Sequence, residues 1–258
     1  MSEKIKFDEM FFHSGIGTGD GIFDGQSPVI LCIKAQSDQN DKAYVMPLCD
    51  KDFDFSSLDV KLCEYKFPFS YFEYEKEDFP AKIRLCTFSP FIPNSDTDSG
   101  IPAIAYEMEI VSTSDKTLSF GVAAKFRKVF ENAQFSCGCG DGAKDVYCEM
   151  THKNGAQMCI STDSNDFSLR VCDDIVRTSP IEFLYGFEKN DGIVKDVNEC
   201  SNDFVSDALV SEFVLKPSGK IKVKFVVSHY SKNVDGFDSL KPFYTQYFDS
   251  ARECNSYF

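Results

Sequence analysis

The chain has 258 residues, a formal net charge of −14 and 43% hydrophobic residues, with 26 phenylalanines and no tryptophan. Nucleic acids and anionic membranes attract basic surfaces, so this charge argues against both as partners. The length and apolar content predict a sizeable core in which aromatic packing is prominent.

The first twelve residues, Met1–Phe12, lack the apolar core of about 7–15 residues that defines a secretory signal. No apolar run approaches the roughly 20 residues of a membrane-spanning helix. The eleven cysteines, an odd number, are expected to be reduced thiols. We therefore predict a cytoplasmic chain without a membrane span.

A glycine run follows this segment. A dinucleotide-binding fingerprint needs a further glycine at its sixth position, which here is Asp20, and no phosphate-loop lysine follows. The run therefore predicts a tightly turning backbone and no bound cofactor. His13 lies beside it and is either a residue that lines a cleft or an ordinary surface histidine. The run contains Gly15, Gly17, Gly19 and Gly21.

Apolar and polar residues alternate along most of the chain, which is typical of antiparallel strands with one buried face. The pattern recurs at residues 58–62, 104–110, 118–126 and 221–227, separated by turns rich in Asp, Asn, Ser and Gly. We predict roughly twelve to fifteen strands in an all-β fold. Its architecture would be a large antiparallel two-sheet β-sandwich over residues 1–240.

An aromatic run occupies one predicted strand pair. Exposed, these rings would form a docking surface for carbohydrate or protein. The simpler interpretation, which we adopt as the prediction, is a strand buried on both sides. The run consists of Tyr65, Phe67, Phe69, Tyr71, Phe72 and Tyr74.

Three prolines, Pro90, Pro93 and Pro102, mark a rigid loop between two strands, because proline cannot donate to a central ladder. Within it, the spacing of Asn94, Asp96 and Asp98 is similar to half a calcium loop. The glycine and glutamate that an EF-hand requires are missing, so a solvated turn is favoured over a cation site.

The four cysteines of the middle region do not have the spacing of a zinc site. No C-x₂-C pair is present, and no histidine lies at the usual offset. We therefore predict free thiols and no bound metal. The residues concerned are Cys137, Cys139, Cys148 and Cys159.

The C-terminal residues 241–258 carry an apolar stripe at helical spacing, and we predict a C-terminal helix there. Such a stripe must be buried against another surface. Either the helix folds back on the sandwich, or a further domain covers it. The stripe consists of Tyr244, Tyr247, Phe248, Ala251, Cys254 and Phe258.

Several of these motifs together resemble the N-terminal domain of glycoside hydrolase family 116, the bile-acid β-glucosidase and glucosylceramidase-like enzymes. The most specific part is the proline loop, Thr87–Asn94 closed by Ser99–Pro102. The resemblance is specific from about Phe67 to Phe126, and it is weaker elsewhere, in the glycine run 14–19 and in the aromatic stretch 243–248. The family usually has a tryptophan in the last strand, where this chain has Ser228–Tyr230.

The resemblance implies a non-catalytic module. Family 116 enzymes hold both catalytic carboxylates in an (α/α)₆ barrel that follows this domain, so no catalytic residue, cofactor or metal ligand is expected here. The expected partner is that helical catalytic domain. The candidates for contacting it or lining the cleft are Pro90, Phe91, Pro93, Asn94, His229, Tyr244 and Phe248.

Two alternatives remain. A stand-alone carbohydrate-binding or protein-interaction module would expose coplanar aromatic rings, although the absence of tryptophan weakens this hypothesis. A self-contained enzyme would need two convergent carboxylates, one with a raised pKa, or a metal site. Forty-one acidic residues provide pairs by chance but no recognisable motif for such a site.

Overall fold

The computed structural model describes residues 28–36, 42–47, 55–127, 133–139, 145–153, 155–163, 168–172, 180–189, 194–196, 206–232 and 241–258. The segment Met1–Phe12, His13 and the glycine run lie outside the described residues. The strands are β1 Val29–Gln36, β2 Lys42–Val45, β3 Asp59–Lys66, β4 Phe69–Glu75, β5 Ala81–Phe88, β6 Ala103–Ser112, β7 Leu118–Phe126, β8 Gln134–Cys139, β9 Asp145–Thr151, β10 Gln157–Asp163, β11 Ser168–Cys172, β12 Val194–Asp196, β13 Ala208–Leu215 and β14 Lys220–Tyr230. The helices are α1 Asp96–Ser99, α2 Pro180–Lys189 and α3 Ala251–Tyr257, with a 3₁₀ turn at Phe243–Gln246.

The strands form two antiparallel sheets, which confirms the predicted all-β sandwich. Within the described residues, one sheet has six strands in the order β12-β11-β13-β7-β1-β2, and the other has eight in the order β3-β4-β5-β6-β14-β10-β9-β8. Their inner faces enclose the main apolar core. In β6, Tyr106 and Met108 are buried and Glu107 is exposed, as the alternation predicts.

Aromatic rings fill much of this core. Phe72 and Tyr74 lie stacked on the inner side of β4, with centroids 6.1 Å apart. The Tyr74 hydroxyl donates a hydrogen bond of 3.0 Å to the Pro47 carbonyl, so the polar group of this buried ring has a hydrogen-bond partner. Phe79 contacts both Tyr44 and Phe120 and thereby joins the two sheets.

Helix α2 covers the outer face of the six-stranded sheet and was not predicted from the sequence. Its residues Phe183 and Phe187 are fully buried there. Beneath them lie two buried lysines, each over a phenylalanine ring: Lys34 at 4.8 Å from the centroid of Phe187, and Lys125 at 5.3 Å from that of Phe183. A buried ammonium group needs a countercharge. Glu212 provides it for Lys34 at 3.3 Å, and Asp207 provides it for Lys125.

The predicted C-terminal helix is confirmed as the two-turn helix α3, which is shorter than residues 241–258 and follows a short 3₁₀ turn. The break occurs before Ser250, which has extended backbone and caps α3 by accepting a hydrogen bond from the Glu253 amide. The segment folds back on the outer face of the eight-stranded sheet, over β14, β10 and β9. Asn255 fixes it there by donating to the carbonyls of Cys159 and Val226, both at 3.2 Å.

Among the described residues, no helix has both the length and the apolar character needed to cross a bilayer.

Candidate interaction face and its neighbours

The outer side of strands β3 to β6, which α3 does not cover, is the candidate functional surface, and we call it the open face. It is bordered by the proline loop, residues 89–102. Ser89 holds the start of this loop by donating to the Ala103 carbonyl at 2.8 Å. The Ser99 hydroxyl closes it, since it accepts from the Ile92 amide at 3.0 Å and donates to the Ile92 carbonyl at 2.9 Å.

The loop presents an apolar tip. Pro90 is half-buried, whereas Phe91, Ile92, Pro93 and Asn94 are exposed. Asn94 has φ = 66°, a left-handed conformation that asparagine tolerates better than most residues. The loop thus holds Phe91 and Ile92 outward at about half of their full exposure, 48% and 51%.

Asp98 of the loop is a structural link. The Asp98 carboxylate accepts from the Ser95 hydroxyl at 2.5 Å and from the Tyr257 hydroxyl at 2.8 Å, so it joins the loop to α3. These two hydrogen bonds lower the pKa of Asp98. Within the described part of the chain, no three metal-ligating side chains come together.

The prediction that the aromatic strand is buried on both sides is wrong. Only Phe72 and Tyr74 face the core, while Phe69 and Tyr71 face outward on β4 and are exposed. Tyr65 and Phe67, at the end of β3 and in the turn after it, are exposed as well. The physical reason is geometric: α3 covers β14, β10 and β9 and leaves the outer side of β4 open.

The rings form two groups at the open face, Phe67 with Phe91 and Phe69 with Phe88 and Phe258. Phe67 contacts Phe91 of the proline loop edge-on, with centroids 4.9 Å apart. Phe69 lies 5.4 Å from Phe88 on the neighbouring strand, and Phe88 lies 5.6 Å from Phe258. The last residue of the chain therefore lies on the edge of the open face.

Beside these rings is a groove of about 460 Å³ with charged walls. The strand register places Glu73, Arg84, Glu109 and Lys222 in one row across β4, β5, β6 and β14. Arg84 Nε donates to Glu73 Oε1 at 2.9 Å. Tyr71 lies on the neighbouring row and contributes an aromatic surface. The signal in the sequence was the alternation of residues 69–74, which places positions 69, 71 and 73 on one face.

Three predicted contact residues are not on this surface. His229, Tyr244 and Phe248 are buried within the domain, His229 to 2% exposure, by the C-terminal segment that folds over β14. Burial lowers the pKa of His229 to about 4 and raises that of Tyr244 to about 12. Tyr244 and Phe248 belong to the apolar cluster that joins the C-terminal segment to the sheet, and the His229 ring lies 6.0 Å from that of Tyr244.

Among the described residues, two carboxyl groups have a pKa raised by burial, Glu149 and Asp207, but they do not face each other. Glu149 lies on the outer side of β9 with Ser136 as a partner at 3.5 Å. Asp207 lies under α2, on the other sheet, and is paired with Lys125. They therefore do not form the facing pair that a glycosidase requires.

Three of the four cysteines considered for zinc have described side chains, and these three do not converge. Cys148 faces the core between the sheets, where Cys137 contacts it with the sulfur atoms 3.3 Å apart. Cys159 belongs to the cluster under the C-terminal segment, on the opposite side of the same sheet. The sheet thus separates Cys159 from the other two sulfurs.

A family model described as beta-glucosidase 2, glycosyl-hydrolase family 116 N-term, matches residues 24–257. The chain belongs to this family. Its family 116 motif, the proline loop, is the element that borders the open face and carries Phe91 and Ile92. Among proteins with curated functions, none matches the sequence.

Solved structures similar to this family 116 domain include the heparan sulfate lyase HepC from Pedobacter heparinus, at 15% identity and a TM-score of 0.38, covering 69% of this chain and 22% of that one. A polysaccharide lyase matches at 8% identity and a TM-score of 0.41, and the match covers 80% of this chain and 26% of the lyase. A protein described as a kojibiose phosphorylase from the human microbiome matches at 6% identity and a TM-score of 0.38. The match covers 89% of this chain and 28% of that protein. The chain spans about a quarter of the length of these proteins.

Proposed function

We propose that this chain is the non-catalytic β-sandwich module of a β-glucosidase or glucosylceramidase-like enzyme, and that it packs on a helical catalytic domain and shapes one side of its cleft. The observation that carries the proposal is the family 116 match over residues 24–257. The module itself contributes no acid or nucleophile. In the parent protein, a retaining mechanism with two carboxylates would belong to the helical domain.

The open face is the surface that suits this role. Large exposed apolar patches with a polar rim are typical of protein interfaces. Here the apolar part consists of the exposed rings of Phe91, Phe67 and Phe69, and the rim is the charged row that contains Glu73 and Arg84. Pro93 and Asn94 belong to the same border and stay candidates for the contact. Phe258 lies against Phe88, so a domain that follows it in sequence would begin beside this face.

The size of the native protein is the first test. Antibodies raised against this domain should detect a native polypeptide several hundred residues longer than the chain. A native protein of 29.1 kDa, the mass of this chain, would contradict the proposal.

The contact surface is tested by substitution in the longer protein. We expect Phe91→Ser combined with Phe69→Ser to lower the melting temperature of the helical domain and its hydrolysis of a chromogenic β-glucoside. Val214→Ser is the matched control, because Val214 is an exposed apolar residue on the six-stranded sheet. Equal effects of the two variants would show that the open face is not the contact.

One observation favours a second candidate, a carbohydrate-binding module. The exposed rings of Phe69 and Tyr71 lie 6.2 Å apart and within 26° of parallel, beside the charged groove. Paired rings of this kind can stack on sugar faces, while carboxylates and arginine bind hydroxyl groups.

Calorimetric titration of the isolated chain with soluble β-glucans tests this function. Tyr71→Ala should abolish binding, and Tyr65→Ala should not. Absence of binding by the unaltered chain would exclude this candidate and leave the first untouched.

A further inference from the structure

Two cysteines face each other at the edge of the eight-stranded sheet. Cys137 on the edge strand β8 lies directly opposite Cys148 on β9. Their sulfur atoms are 3.3 Å apart, and both are free thiols. Side chains directly opposite in an antiparallel pair have Cβ atoms about 4.5–5.5 Å apart, close to the roughly 3.5–4.5 Å of a disulfide. A small adjustment of side-chain torsions therefore suffices to bond them.

The two thiols differ in access. Cys137 is half-buried at the rim, whereas Cys148 is completely buried in the core. Each sulfur atom also lies 3.6 Å from a backbone carbonyl oxygen at or just before the start of β13. The partner of Cys137 is Ser206, and the partner of Cys148 is Ala208. The pair thus lies between the edge hairpin of one sheet and a strand of the other.

The other free thiols of the described residues lie away from this pair, and two of them are Cys32, packed under α2, and Cys254 on α3. Cys159 is on the opposite side of the sheet. Cys63 and Cys86 belong to β3 and β5, at the far end of the strand order from β8. A reaction that joins Cys137 and Cys148 therefore needs no rearrangement of the fold, whereas one that joins either to Cys63 or Cys86 does.

We propose that Cys137 and Cys148 form a redox modification site, which a low-molecular-weight disulfide such as oxidised glutathione converts to an intramolecular disulfide. The Cys137 thiolate attacks one glutathione sulfur, which breaks the glutathione S–S bond, forms a mixed disulfide and releases one glutathione thiolate. Cys148 then loses its proton to solvent and attacks the Cys137 sulfur, which releases the second glutathione. The protein loses two electrons and two protons, and one oxidised glutathione becomes two reduced molecules.

Access determines the order of attack. Complete burial raises the pKa of the Cys148 thiol well above its ordinary value, so Cys148 is a poor first nucleophile. The rim position of Cys137 makes it the group that a small disulfide can reach. Cys148 acts second, because the sulfur that it attacks is already in contact with it.

A disulfide between Cys137 and Cys148 would make the β8–β9 edge of the sheet more rigid. It would tie β8 to β9 covalently, and it would remove the thiol protons that point toward the carbonyls of Ser206 and Ala208. We expect the β8–β9 amides to exchange hydrogen at least tenfold more slowly in the oxidised form. This readout is separate from any catalytic assay.

The test is thiol mapping on the folded chain. The chain is incubated with oxidised glutathione, alkylated without reduction, digested and examined by mass spectrometry. We expect a linked pair of peptides that contain Cys137 and Cys148, while Cys63 is recovered alkylated or glutathionylated. A Cys137–Cys139 link, or stable glutathionylation of Cys137 without the second step, would overturn the proposal.

Variants separate chemistry from folding. Cys148→Ala should leave Cys137 trapped as the mixed disulfide, and Cys137→Ser should leave Cys148 unmodified. Because Cys137 is half-buried, the second variant keeps the test informative if the first does not fold. Cys63→Ser is the matched control and should form the linked pair as the unaltered chain does. Modification of Cys148 in Cys137→Ser at the rate seen in the unaltered chain would show that Cys137 does not attack first.

Discussion

The buried histidine His229 should make the domain sensitive to mild acid. Burial lowers its pKa from 6.5 to about 4, because the charged imidazolium loses solvation beneath the C-terminal segment. The unfolded chain therefore binds the proton first as the pH falls below 6.5, and stability declines until the folded protein also binds it near pH 4. A difference of about 2.5 pKa units corresponds to about 3 kcal/mol of unfolding free energy.

The assay is urea unfolding of the chain at a series of pH values. Carboxylates also titrate in this range, so the relevant quantity is the difference between the unaltered chain and His229→Gln or His229→Phe, neither of which can be protonated there. We expect about 2–3 kcal/mol less acid-induced loss in these variants between about pH 7.5 and about pH 4.5. His152→Gln controls for removing a histidine elsewhere. Parallel stability profiles for the unaltered chain and both His229 variants would refute the reasoning.

Three further predictions concern packing. Phe187→Ala, which uncovers the sheet beneath α2, should cost about 3–5 kcal/mol of unfolding free energy in urea titrations. Lys125→Met should cost about 3–5 kcal/mol because it leaves Asp207 buried and unpaired, and adding Asp207→Leu should restore most of the loss. Asn255→Ala removes two hydrogen bonds to buried carbonyls and should destabilise α3 by about 1–3 kcal/mol, measured as faster amide exchange at residues 251–257.

Each of these has its own control. Tyr185→Ala, on the same helix but half-exposed, should cost much less than Phe187→Ala. A double variant at Lys125 and Asp207 that is less stable than Lys125→Met would contradict the account of the buried pair. Ser256→Ala is the control for Asn255, because the Ser256 hydroxyl bonds only within α3, to the Arg252 carbonyl. Equal exchange rates in the Asn255 and Ser256 variants would show that the contact with the sheet does not hold α3.

The strands could be predicted because their signal is local. In β6 and β14, apolar residues occur at every second position, and each strand pairs with a neighbour that obeys the same rule. The proline loop was placed correctly between β5 and β6 for a similar reason, because Pro90 and Pro102 cannot take part in a ladder.

Coverage of the outer faces could not be predicted, because it depends on segments distant in sequence. Lys34 and Lys125 occupy outward positions of β1 and β7 that would be solvated if α2 did not lie over them. His229 is buried by residues of the C-terminal segment, and Phe69 and Tyr71 are exposed because that segment packs farther along the sheet. The spacing of Phe183, Leu184 and Phe187 did carry a local helical signal for α2.

Strand β3 has consequences for the association of whole molecules. Among the described strands it is the outer one of the wider sheet, and all eight of its residues are exposed, so one side of its backbone has no partner within that sheet. Four residues of β3 have charged side chains: Asp59, Lys61, Glu64 and Lys66. A bulge displaces Lys61 from the register with β4. Charges and bulges at a sheet edge impede strand addition, because a second chain would have to desolvate them. Strand β3 therefore widens the sheet that carries the open face, and its charges and its bulge oppose edge-to-edge pairing between copies of the molecule.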